Sequence, residues 1–571
     1  MIDKLANREK KYITFAVSIA LAACAVLSAH AAPPTAGAIL EGAKPPAAVQ
    51  PPLVKSPEIT IEGGQPPAQT GDQQKIPVRG FRISGESPLP ADELLNLIKG
   101  ESGRELTLGE LNALAGKLTQ YLRLQGYIVA FAYIPAQDIK DGVVEIAVIP
   151  GKYGQMKITG NGRFNHDRLR AMLHTTAPGS VITREPLERA LLLLSDLNGI
   201  SIKATLSPGE TNGTADLILD VSDADRVRGA VYADNWGNRY TSRNRVGFQV
   251  TAGNIGGDGN DLSLGGLISS HNRLNNYNLG YSLLAGDDGA RFSVKHSRVN
   301  YTLGDTFASL GAAGQAKVTS YDLTYPLIRR RVFSLYGTLG YDDKRLRDDV
   351  TATDSYSPKK SRLVNLGLAG SFADNWLGGG SNAFSLTHSR GRLRILDAAT
   401  AANDNATAAT AGHFFKTLLT YQRQQYVAEN LNFHFTFSGQ LADKNLDSSE
   451  KLFLGGADGV RAFPQGEAAG DEGCKLTGEL RWRLPGMSTP QDNVYLTGFY
   501  DYGSVIINHT PWAGAGDSNR RSLTGAGVGL LWTRTPDFAL RLDCAWKIGR
   551  EQATADADAS NRIWLQGVKY F

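Results

Sequence analysis

The 571-residue sequence has little cysteine, with three in all, and no helix-length apolar run after its first 31 residues. The second shortage excludes a spanning helix over the remaining 540 or so positions. Two cysteines, Cys474 and Cys544, fall late in the chain. An oxidising compartment permits a disulfide between them, but spacing alone does not bring them together. No Cys/His/Asp/Glu group has metal-ligand spacing. The nine histidines are scattered, and His434 reads as a polar side chain on a strand. There is no P-loop, no HExxH and no GxSxG in a strand–turn–helix setting, so neither a cofactor nor an enzyme's site is signalled. Charge is nearly balanced, 60 Lys+Arg against 56 Asp+Glu, which leaves no footprint for nucleic acid.

The first 31 residues carry a leader pattern. Lys4, Arg8, Lys10 and Lys11 form a basic start, Tyr12 to Ala29 is uncharged, and Ala29-His30-Ala31 has the small-x-small form of a cleavage site. Leu21-Ala22-Ala23-Cys24 also resembles a lipoprotein box, but apolar residues continue past Cys24, so simple cleavage is the expectation. Residues 32–75 are rich in Pro, Ala, Gln and Gly, and Pro-Pro pairs at 33, 45, 51 and 66 break any long element. This is a linker in which only Ala36 to Gly42 has the composition for a turn or two of helix, marginal by itself.

Residues 76–151 and 152–225 repeat one element order, β-α-α-β-β. The first unit predicts a strand at Val78–Ser84, helices at Ala91–Lys99 and Leu108–Leu124, and strands at Tyr127–Ile134 and Val143–Ile149. The second predicts a strand at Tyr153–Thr159, helices at Arg168–Leu173 and Arg184–Asn198, and strands at Ile200–Leu206 and Ala215–Val221. A single mixed domain of 150 residues is the competing reading; the repeated order favours two.

From 226 to 571 the period becomes two. Phe333, Leu335, Leu339 and Tyr341 alternate with Ser334, Tyr336, Thr338 and Gly340. Leu431, Phe433, Phe435 and Phe437 alternate with polar residues that include His434. Leu540, Leu542, Cys544, Trp546 and Ile548 alternate with Arg541, Asp543, Ala545 and Lys547. A continuous apolar face opposite a charged one fits a strand between lipid and a watery lumen. At about 20 to 22 residues per strand and connection, roughly 345 residues make about 16 strands, an even number as bacterial barrels require. A secreted chain of this kind belongs in a bacterial outer membrane, in contact with its lipid.

Two barrel motifs carry chemistry. Leu454-Gly455-Gly456-Ala457-Asp458-Gly459-Val460-Arg461-Ala462-Phe463-Pro464-Gln465-Gly466-Glu467 is a glycine-rich loop with one cation near its tip, and it continues through Gly470-Asp471-Glu472-Gly473 to a strand with Glu479, Arg481 and Arg483. Phe499-Tyr500-Asp501-Tyr502-Gly503 is a strand on which Phe499, Asp501 and Gly503 face one way and Tyr500 and Tyr502 the other. Asp501 therefore faces the lumen, where it could partner a cation held away from water.

These motifs, the tandem units, and Tyr570-Phe571 together resemble the two-partner secretion transporters, the TpsB or ShlB/FhaC/HecB type. Gly126-Tyr127 through Pro135-Ala136-Gln137-Asp138 and on to Gly142 is similar to the end of that family's first POTRA domain. The resemblance implies a plug helix near 36–42, two periplasmic POTRA domains and a 16-stranded barrel. It also implies that a loop tip, here Val460, Arg461, Ala462 and Phe463, folds inward so that Arg461 pairs with Asp501 of the Phe499–Asp501–Gly503 strand. Ala462 stands where the family usually has Gly, which raises a question about the backbone there. Phe571 would be the C-terminal barrel signal. The implied partner is an unfolded secreted polypeptide, a large β-helical exoprotein of haemolysin or adhesin type, bound by the POTRA domains through strand addition and exported without nucleotide hydrolysis. An assembly factor of the BamA/TamA type is the alternative, weakened by the presence of only two such units. A diffusion porin would not need them at all.

Overall fold

A computed structural model of the chain describes residues 33–43, 58–62, 74–516 and 518–571. The leader pattern of residues 1–31 lies outside the described residues.

In the first unit, Leu111, Leu114, Leu118 and Leu122 recur at helical spacing and are all buried in the helix Leu108–Leu124. A capping box starts it. The Glu110 N–H donates to Thr107 Oγ1 (3.2 Å), and the Thr107 N–H donates to Glu110 Oε2 (2.7 Å); such caps contribute about 1 kcal/mol. This helix and Ala91–Ile98 cover a sheet ordered Gly80–Gly85, Val143–Ile149, Phe131–Tyr133. The strand expected over Tyr127–Ile134 is confined to Phe131–Tyr133. Gly126 takes φ +98°, and the chain turns before it extends, with the Ala130 N–H donating to the Tyr127 carbonyl (3.0 Å). An unforeseen short strand, Arg104–Thr107, pairs antiparallel with Lys75–Val78.

The second unit has helices His166–Met172 and Arg184–Ser195 over strands Lys152–Thr159, Ile200–Pro208 and Thr214–Asp223. A linker strand, Glu58–Ile61, adds to this sheet in parallel beside Ile200–Pro208, and the Glu62 N–H donates to the Leu206 carbonyl (2.9 Å). The unit is fastened to one end of the barrel. Arg329 holds Asp196 bidentately (2.8 and 2.7 Å), Arg189 donates to the Pro326 carbonyl (2.8 Å), and Arg168 donates to the Leu284 carbonyl (2.6 Å). Leu284 itself packs into the unit's core.

The remaining chain is a closed barrel of 16 antiparallel strands from Val227–Asp234 to Asn561–Tyr570, which pair with each other. Alternation holds as expected. Arg541 and Asp543 point inward, while Leu540, Leu542 and Trp546 are exposed on the outer wall. Cys474 and Cys544 are free, half-buried thiols and do not pair. No described helix is long and apolar enough to cross a membrane; the strands form the wall. Inside it lies the helix Ala36–Gly42, packed on inward-facing Tyr232, Leu267, Val299, Tyr301 and Leu346.

Candidate functional site

Residues 443–471, between strands Leu431–Ala442 and Glu472–Arg483, fold into the lumen. The loop is its own scaffold. Leu452–Phe453 pairs with Ala469–Gly470, the Val460 N–H donates to the Leu454 carbonyl (2.8 Å), and the Phe463 N–H donates to the Val460 carbonyl (3.0 Å). These bonds project Arg461 at the wall. Its guanidinium meets Asp501 as a fork, Nε to Oδ2 and Nη2 to Oδ1, both at 2.9 Å. Its backbone N–H also donates to Asp501 Oδ2 (3.1 Å). Nη1 reaches Glu479 (2.7 Å) and, more loosely, Asp543 (3.4 Å). The guanidinium carbon lies 3.2 Å from the centroid of the Phe499 ring. The Trp564 indole N–H donates to the Arg461 carbonyl (2.7 Å).

Arg461 is 2% exposed and Asp501 is fully buried, so charge balance is decisive. Arg481 donates to Glu479 (2.7 Å) and Arg541 to Asp543 (2.8 Å). Three arginines thus face three carboxylates. Buried charges tolerate desolvation only when paired and hydrogen-bonded.

Nearer the loop's start, a second charged cluster holds it to other strands of the wall. Glu450 sits between Lys344 (2.7 Å) and Lys416 (2.8 Å), and Asp447 pairs with Lys359 (2.8 Å). Burial pushes the Glu450 carboxyl up, but the two lysines outweigh this and bring it down to about 2. Ser448 and Ser449, between these acids, touch the lumenal helix. Thr35 and Ser448 hydroxyls are 2.6 Å apart, and a Cβ on Gly37 would strike the Ser449 backbone. The barrel wall also holds the helix. The Ala36 N–H donates to Asp348 (2.7 Å), Arg245 to the Gly42 carbonyl (2.6 Å) and Asn276 to the Ala43 carbonyl (2.9 Å). A polar cavity of about 440 Å³, bounded by Gly42, Arg245, His434 and Arg461, remains between helix and tip.

The geometry brings together the motif residues named from sequence. Val460, Ala462 and Phe463 are fully buried around Arg461. Ala462 has no positive φ, so the alanine is unstrained, and its methyl sits where Gly525 lacks a side chain; a Cβ there would lie 2.6 Å from it. Gly503 likewise makes room for Leu454, whose Cδ2 would be 2.9 Å from a Cβ. Phe571 stands apart, exposed at the barrel seam, where its N–H donates to the Gly229 carbonyl (3.0 Å). His434 faces the lumen with no metal-binding group around it among the described residues. Sequence reasoning missed the second cluster and the partners of Glu467, the end of the glycine-rich motif, which accepts from the Thr554 and Ala555 N–H groups (both 2.8 Å). Glu479, on the strand that follows the motif, and Asp543, on an inward charged face, were within reach of the sequence; nothing local flags Lys344, Lys359 or Lys416.

Residues 213–531 match the family model of the haemolysin secretion/activation protein ShlB/FhaC/HecB, and residues 76–151 match the ShlB-type POTRA domain. The heme/hemopexin transporter protein HuxB of Haemophilus influenzae (strain 86-028NP) is 28% identical over 92% of each chain. The outer membrane transporter CdiB of Dickeya dadantii (strain 3937) is 24% identical over 79% of each chain. Among solved structures, CdiB from Escherichia coli superposes with a TM-score of 0.69 at 20% identity, covering 89% of this chain and 93% of its own. BamA from Haemophilus ducreyi lacking POTRA domains 1–3 gives 0.51 at 16% identity, covering 86% of this chain and 100% of its own.

Proposed function

Given that this chain belongs to the ShlB/FhaC/HecB family of haemolysin secretion/activation proteins, we propose that it exports one large secreted exoprotein through a lumen closed by the docked loop and helix. The protein is an outer-membrane transporter of secreted protein, with its POTRA domains in the periplasm. The client, of the β-helical haemolysin or adhesin class, arrives unfolded and adds a strand to a POTRA sheet edge. One such edge, at Ile200–Pro208, is taken by the linker strand Glu58–Ile61, so a client binding there displaces it. The loop carrying Arg461 and the helix Ala36–Gly42 then yield to the passing chain. Phe571 serves as the C-terminal signal for barrel assembly.

The observation that carries this is the filled lumen. About nine extended residues span a bilayer core of ~30 Å, and a cavity of about 440 Å³ does not hold them. The filled lumen also weighs against a diffusion porin. The likeness to BamA speaks for barrel fold alone.

The test is a reversible lock. In a background with Cys474 and Cys544 changed to serine, Thr35→Cys and Ser448→Cys place two thiols where the hydroxyls are 2.6 Å apart. Secretion of a co-expressed exoprotein client is expected to stop under oxidation and to return on reduction. Equal secretion under both conditions, with the disulfide verified, would refute movement of the helix.

A further inference from the structure

The outer wall of the barrel carries a basic surface that export does not use. The second POTRA domain holds the turns near 284–290 and 326–331, so the opposite end of the barrel faces the cell exterior. At that end, strand register sets Arg298 opposite Lys317, Lys317 opposite Arg345, Arg345 opposite Lys360, and Lys360 opposite Arg394. Five cations thus form one continuous row across five strands. Their parity is that of the lipid-facing residues. Lys344 and Lys359, one position away, contact the lumenal loop, which turns Arg345 and Lys360 outward.

Like charges directly opposite one another in a sheet repel, and the acids here are too few to cancel them. Asp343 lies 3.2 Å from Lys360 and 3.6 Å from both Arg345 and Arg362, and Asp349 is taken by Arg347 at 2.6 Å. Lys317, Arg392 and Arg394 have no ion-pair partner among the described residues. The surface is also one-sided. At the same end of the far wall, the outward residues are Ser504, Ser522, Thr524 and Asn561, Arg520 is the one cation of that register, and Glu472 pairs with His509.

Depth identifies what this row meets. Four residues toward the periplasm on two of the same strands lie Tyr321 and Tyr341, with ring centroids 6.3 Å apart and both exposed outward. Leu323, Leu339 and Leu366 continue the apolar wall below them. An aromatic pair above an apolar band marks the membrane interface. Four strand residues, about 13 Å, carry the row from there into the headgroup layer.

We propose that the row Arg298–Lys317–Arg345–Lys360–Arg394 binds the phosphate groups of phosphorylated glycolipid in the outer leaflet. Arginine forks take phosphate bidentately, and strands about 4.8 Å apart let one phosphate bridge neighbouring cations. The inference rests on the outer-membrane placement and is independent of the client.

The test uses the full chain reconstituted in phosphatidylcholine vesicles that contain either bisphosphorylated lipid A or the same lipid stripped of its phosphates. Glycolipid retained per barrel after detergent extraction is measured by mass spectrometry. The wild type is expected to retain the phosphorylated lipid roughly tenfold better. The triple variant Arg345→Gln/Lys360→Gln/Arg394→Gln is expected to lose that preference while the barrel remains heat-modifiable, and Arg520→Gln to keep it. Equal retention of both lipids by the wild type, a measurement that needs no variant, overturns the proposal. Undiminished preference in a folded triple variant does so as well.

Discussion

Two of the attachments of the lumenal loop, at its tip and at its base, differ in kind. At the tip, one arginine is gripped by a fork, a ring, an indole and two further carboxylates, and every strong partner lies on the wall between 472 and 571. At the base, two carboxylates meet three lysines spread over strands Phe333–Val350, Ser355–Asp374 and Gly412–Ala428, and the loop also touches the helix. The tip is a directional lock, since a planar guanidinium has one good way to meet Asp501. The base is a set of point-charge contacts that tolerate sliding. If the loop and helix yield to a client as proposed, this difference lets the base and the helix release before the tip does.

The largest expected effect is at the tip. Arg461→Ala leaves Asp501, Glu479 and Asp543 buried without their shared cation, a cost of about 3–5 kcal/mol. Secretion is expected to fall below detection while heat-modifiable barrel persists in the membrane; secretion at the wild-type level would remove the tip from the mechanism. Glu450→Gln comes next. It sets Lys344 and Lys416 against a neutral side chain, at about 2–4 kcal/mol. Higher single-channel conductance in planar bilayers is expected, with the Arg461 contacts intact, and unchanged conductance would mean that the base holds nothing. Acid should act on the same contact. The Glu450 carboxyl is at about 2 when docked against an ordinary 4.5, so its contribution is fully present above about pH 4.5 and is lost as pH falls through 2. Protease nicking of the loop in outer-membrane vesicles should rise across that window in the wild type and less in Glu450→Gln. The smallest effect is Ala462→Gly. With no strain to relieve, it costs under about 1 kcal/mol in added chain freedom and should leave secretion within twofold. A large gain would show that the alanine is strained after all.

The tip was legible because its parts are compact: a glycine-rich run around Arg461, and Asp501 on a strand whose parity fixes its face. The base was not. Lys344, Lys359 and Lys416 sit on separate strands, and only barrel curvature and the path of residues 443–451 converge them on Asp447 and Glu450. The barrel itself was legible from alternation, including its strand number. Errors in the first POTRA domain came from short pieces. Arg104–Thr107 is too brief to display a period, and Tyr127–Ala130 has strand-like composition but follows a turn that only the φ of Gly126 imposes. The helix Ala36–Gly42 matches its expected span, yet its place inside the barrel depends on Gly37 and distant wall residues that no local pattern reveals.

The linker strand Glu58–Ile61 turns the lumenal helix into a tethered ligand. The fourteen residues 44–57 join the helix to a strand held on the second POTRA domain. At full extension they reach about 50 Å. A helix that leaves the lumen therefore stays within that radius as long as the strand remains paired, and its return is an intramolecular event at an effective concentration bounded by that reach. If a client displaces the strand as well, the leash lengthens to the start of the first POTRA domain and that concentration drops. The occupancy of one sheet edge would then set how quickly the pore recloses.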